Sequence, residues 1–136
     1  MRNRLQQASF ALVGALALAA PLAAPMVHAA GLPDLTPTSL TATLSARNGG
    51  CRADIEAVVA NIGTEGALAY SDQITVDGVA YTIVNLEGTD VGRTSKVGVT
   101  PEVDFGPHTV TVLADSTNAV EESNELNNSA SLSFTC

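Results

Sequence analysis

An all-β chain is what the sequence predicts: an antiparallel β-sandwich of immunoglobulin-like (fibronectin III-like) type with about seven strands. Three observations predict it. Past Leu35, short segments rich in Val, Ile, Thr and Leu alternate apolar with polar residues. Gly, Asn, Asp and Pro punctuate them at roughly ten-residue spacing, and no stretch carries a helical period. A small barrel is the alternative closure for the same strands.

The first 29 residues read differently. Arg2 and Arg4 form a short positive segment, Phe10 to Ala20 an apolar run, and Pro21 and Pro25 break whatever helix that run begins. The run is too short to span a bilayer. Val27 and Ala29 fit the small-x-small rule, so the sequence predicts a signal peptide over residues 1–29, cut after Ala29, with Ala30 the next candidate. No cysteine follows the cut to carry a lipid anchor. The expectation is therefore a secreted or periplasmic protein whose residues 30–136 form one domain without a transmembrane segment.

Strand by strand, Ser39 to Ala46 sets Leu40, Ala42 and Leu44 on one face, and Asn48-Gly49-Gly50 supplies a turn. Cys51 to Asn61 alternates most cleanly, with Cys51, Ala53, Ile55, Ala57 and Val59 inward and Arg52, Asp54 and Glu56 outward. Asp77-Gly78 reads as the tip of a hairpin joining Gln73–Val76 to Val79–Leu86. Arg93 to Thr100 is a further strand, and Phe105-Gly106-Pro107 turns the chain into His108–Ala114. Ser129 to Cys136 closes the domain with Leu132, Phe134 and Cys136 in phase.

Parity places both cysteines on inward faces, Cys51 with Ile55 and Cys136 with Phe134. In an exported chain two cysteines allow one intramolecular bridge, so a Cys51–Cys136 disulfide is expected. Neither thiol has the close spacing or histidine partner that catalysis or metal binding needs.

After the expected cut, four basic residues (Arg47, Arg52, Arg93, Lys96) stand against fourteen acidic ones, a charge of −10. Such a surface repels phosphate backbones, which argues against nucleic acid. Cations or basic protein surfaces suit it better, although acidity also serves solubility alone.

The stretch from Asp115 to Asn128 is dense in Asp, Glu, Asn and Ser. It has the form D-x-x-N-x-V-x-E-x-N-E-x-N-N, and here the chain resembles the CARDB family, the cell adhesion related domain found in bacteria. Pro33-Asp34-Leu35, Val59-Ala60-Asn61-Ile62-Gly63 and His108-Thr109-Val110 match the same pattern, so the resemblance covers essentially all of residues 30–136. It implies a non-catalytic module for adhesion, protein interaction or envelope scaffolding, with a protein or cell-surface component as partner.

Two readings of the acidic segment stand side by side. Asp115, Asn118, Glu122, Glu125 and Asn127 offer the oxygens a hard cation takes, which would make it a structural calcium (Ca2+) loop, although EF-hand spacing is missing. Alternatively, the Asp and Asn side chains cap local amides while Val120 and Leu126 anchor the segment. Glu121-Glu122 reads as a solvated face.

No enzyme is expected. The one histidine after the cut, His108, has no recognisable nucleophile motif to serve, and Gly63, Gly66 and Gly78 read as turn residues rather than a phosphate cradle. Aromatic residues are too few for a sugar-stacking platform. An exported inhibitor or accessory chaperone is the second function class, and a small hydrolase dependent on His108 the third.

Overall fold

The structure, a computed structural model, describes residues 31–136; the expected signal peptide and its cut lie outside the described residues. Eight strands run in order: β1 (Leu35–Arg47), β2 (Gly50–Asn61), β3 (Tyr70–Val76), β4 (Val79–Leu86), β5 (Thr94–Val99), β6 (Glu102–Asp104), β7 (Pro107–Leu113) and β8 (Ser129–Thr135). They build two antiparallel sheets. In the first, β2 lies between β1 and the successive strands β5 and β6; in the second the order is β4-β3-β7-β8. This is the sandwich, not the barrel.

Strand β6 is absent from the alternation, and proline is the reason. β5 pairs with Ile55–Ala60 and β6 with Gly50–Arg52, both along one edge of β2. Between them the Pro101 carbonyl accepts the Ala53 amide at 2.9 Å. Having no N–H to return, Pro101 breaks one course into two strands. β1 starts at Leu35 rather than Ser39, and a register shift between Pro37 and Ser39 absorbs the proline on this edge strand. β3 likewise starts at Tyr70, three residues before the expected Gln73.

The turns follow their residues. Asp77 (φ 52°) and Gly78 (φ 79°) both take the left-handed region, as a two-residue hairpin turn of matching twist requires. At Asn48-Gly49 only the glycine does, at φ 87°.

The core lies between the sheets. Ala53, Ile55, Ala57 and Val59 of β2 are buried, as their parity requires, and cluster with Ile74, Val110 and Val112 from the second sheet. Each large aliphatic side chain buried there contributes roughly 1.5–3 kcal/mol. The Cys51–Cys136 disulfide forms as expected, with the Cα atoms 5.6 Å apart. Because Cys51 lies at the start of β2, one residue after Gly50, and Cys136 follows β8 directly, the bond staples one sheet to the other.

Candidate functional site

The acidic segment does not hang free. Its ends meet where the Ala114 amide donates to the Asn128 carbonyl at 2.7 Å. Asp115, 4% exposed and at φ 41°, folds the first half around itself: its two carboxylate oxygens accept the amides of Ala119 (2.9 Å) and Val120 (2.8 Å). This is side-chain capping of a turn, with a carboxylate as the acceptor. Val120 is buried beneath it.

The second half clamps the entry to β1. Glu122 is buried, accepting from the Leu35 amide and, at 2.8 Å, from the Asn128 side chain. Burial away from water pushes its carboxyl pKa up. Asn127 donates to Asp34 Oδ1 at 2.8 Å, the Ser123 amide donates to the Pro33 carbonyl at 2.9 Å, and the Thr36 hydroxyl donates to the Asn127 carbonyl at 3.0 Å. Two sequence readings are corrected here. Glu122 is not part of a solvated face, because the Leu35 amide needs its oxygen. Leu126, 96% exposed, anchors nothing.

A third motif arrives at the same place. Asn61, fully buried at the end of β2, makes four hydrogen bonds: its Oδ1 accepts the Asp34 and Gly63 amides, and its Nδ2 donates to the carbonyls of Glu65 and Thr89. A Cβ at Gly63 would lie 2.4 Å from the Leu32 carbonyl oxygen, so that position needs glycine for close approach rather than for a turn. Residues nearly ninety apart in sequence therefore form one polar knot around Asp34 and Leu35.

Beside the knot sits a buried acid outside the predicted site. Asp72, fully buried on β3, receives the Asp115 amide at a long 3.3 Å on one oxygen, while Oδ2 has no hydrogen-bond partner of normal geometry. Burial, aided by the nearby Asp115 charge, raises its pKa to about 6. The signal was available: Asp72 is in phase with Tyr70 and Ile74, both inward.

His108 works at the opposite end, near the disulfide. Its Nδ1 lies 2.7 Å from Asp77 Oδ2 and its Nε2 2.9 Å from the Asp104 carbonyl, and its ring packs on Phe134 at 5.6 Å. Both partners are acceptors, so the ring fills both bonds only as the imidazolium. The Asp77 contact, above all, pushes its pKa up, and the same bond lowers that of Asp77. The histidine thus ties the β3–β4 hairpin tip to the chain before β7.

Of the five residues predicted to offer oxygens to Ca2+, the structure joins Glu122 and Glu125, whose Oε1 accepts the Glu122 amide at 2.9 Å. Asp115 caps its own turn, Asn127 turns to Asp34, and Asn118 is exposed at φ 51°. Among the described residues no group of three or more His, Cys, Asp or Glu is arranged to hold a metal ion. The hollow beside the knot, about 280 Å³, is lined by Pro33, Glu65, Leu68, Val120 and Glu121.

The CARDB family model matches residues 32–132. A CARDB domain from Pyrococcus furiosus, crystallised in complex with di-metal ions, is similar to the chain at a TM-score of 0.64 and 20% identity, over 76% of this chain and 93% of that one. Its solution structure gives a TM-score of 0.67 at 21% identity, over 76% and 94%. A domain of a Methanosarcina acetivorans protein, provisionally described as a cell surface protein, gives 0.64 at 26% identity, over 76% and 91%. No curated protein matches the sequence.

Proposed function

The chain belongs to the CARDB family, and on that footing we propose that it is an exported, non-catalytic module serving adhesion or protein interaction at the cell surface. The observation that carries this reading is where the family's motif residues go. Asp34, Asn61, Asp115, Glu122 and the amide nitrogen of Asn127 are spent on one another and on backbone groups, so recognition falls to the sheet faces, edges and loop tips around a frame they stiffen. The surface description of the Methanosarcina relative supports the same setting.

The test is retention of the labelled mature protein by intact cells of the source organism. Saturable binding that protease treatment of the cells abolishes supports the reading; no saturable binding refutes it. An exported inhibitor or chaperone would instead bring down one enzyme stoichiometrically. A hydrolase would lose turnover when His108 becomes Ala.

One observation favours a second reading of the acidic segment. Asn127 Oδ1 and Asn128 Oδ1 are buried acceptors without a protein partner, on the loop that also holds Glu122. Such oxygens suit a hard cation, and the Pyrococcus relative was crystallised with metal ions. We propose that Ca2+ stiffens this loop as a structural ion. A melting midpoint that rises with Ca2+ and falls with chelator supports it; an unmoved midpoint refutes it.

A further inference from the structure

The hollow beside the knot combines an apolar interior with an acidic rim. Pro33 and Val120, both buried, form its floor; Leu68 and Ala119 stand at its sides, and Glu65 and Glu121, both exposed, at its mouth. Its walls are pinned by the motif residues. Asp115 holds the amides of Ala119 and Val120, and Asn61 Nδ2 holds the Glu65 carbonyl at 2.8 Å. Leu68 is 81% exposed, yet its neighbour Ala67 pairs with Thr89 in both directions, at 2.9 and 3.1 Å. An apolar side chain is thus held out to water on a fixed backbone.

The rim acids are unmatched. Ion pairs among the described residues engage Arg47, Arg52, Lys96 and His108, and none involves Glu65 or Glu121. Asp90 adds a third negative charge nearby: its Oδ1 would lie 3.5 Å from a Cβ at Gly66, which also lines the hollow. Arg93, on the same loop as Asp90, does not line it.

We infer that this hollow receives a lysine or arginine side chain presented by an exposed segment of a partner protein, an inference that rests on the reading of the chain as an interaction module. Such a side chain buries its aliphatic stem on apolar surface and keeps its charged head in water. Here the stem lies against Pro33, Leu68 and Val120, and the head meets Glu65 and Glu121. Charge complementarity selects this occupant. An aliphatic side chain would leave the acids unmatched, and a bare divalent cation would leave the apolar floor unused. With fourteen acidic residues against six basic in the chain, basic segments are steered in and acidic ones repelled. Pinned walls also lower the cost of ordering the site on binding.

Amide shifts of the labelled, oxidised mature protein, titrated with the peptide acetyl-Ala-Arg-Ala-amide, test the site itself. Saturable shifts at Gly66, Leu68, Ala119 and Val120 are expected at millimolar peptide, weakening as salt rises. Glu65→Gln and Glu121→Gln should each weaken binding roughly threefold, as the loss of an exposed charge pair does. Leu68→Ser should weaken it too, and all three side chains are exposed, so the fold should be unaffected. The same peptide with Gln or Leu at its centre should shift these amides far less. No saturable shift, shifts elsewhere on the domain, or an equal response to the Gln or Leu peptide would each overturn the inference. Retention by cells separates it from the reading beneath it. Retention that the Glu65→Gln, Glu121→Gln double variant loses supports the hollow as the docking site, and retention indifferent to that variant overturns it. Peptide binding without any retention upholds the basic side-chain site and refutes the adhesion reading.

Discussion

Asp72→Asn should stabilise the protein at pH 7 and leave it unchanged at pH 4. Asp72 is fully buried, one of its oxygens lacks a partner, and its pKa rises from 3.8 to about 6. An acid held above its unfolded-state pKa binds its proton more tightly when folded. Its contribution is thus fully present below about pH 4 and is lost as pH climbs through about 6. Two pKa units correspond to at most about 3 kcal/mol, so a gain of roughly 1–3 kcal/mol is expected at pH 7. Asn keeps an acceptor for the Asp115 amide and puts a neutral donor where the orphan oxygen stood, near the Ser95 hydroxyl. The assay is urea unfolding by circular dichroism at pH 4, 5, 6 and 7 with the disulfide intact. Subtracting the variant's curve from the parent's removes the similar raised-pKa contribution of Glu122. A difference that does not vary with pH, or an Asn variant less stable at pH 7, would refute the reasoning.

Three further outcomes are expected. Reducing Cys51–Cys136, or replacing both cysteines by serine, releases a loop spanning a sequence separation of 85 and should cost about 4.6 kcal/mol on the chain-entropy model; denaturant midpoints with and without reductant measure it. Asn61→Ala strips partners from two amides and two carbonyls, and a loss of about 3 kcal/mol or more should appear as a lower melting midpoint or failed accumulation. The His108 contacts should hold the hairpin tip most firmly at mildly acidic pH. With a raised histidine pKa their contribution is present below about 6.5 and lost as pH rises through the folded value. Hydrogen exchange at the Asp77 and Thr109 amides should therefore quicken, beyond its intrinsic pH dependence, across that window, and His108→Ala should remove the effect.

Seven of the eight strands, the hairpin turn and the disulfide were legible in the residues alone. The two-residue period of β2 and the Asp77-Gly78 pair are local signals, written in adjacent residues and expressed wherever the strand packs. Two cysteines of inward parity had one way to pair. The acidic segment was visible as unusual, yet its working parts were not, because their partners lie across the chain. Glu122 is buried only because the Leu35 amide arrives beside it, and Asp34 becomes a hub only where Asn61 and Asn127 meet it. The break at Pro101 and the exposure of Leu126 likewise come from packing. Alternation tells which side of a strand is apolar; only the packing of one sheet on the other settles how far each strand is covered and which carboxylates lose their water.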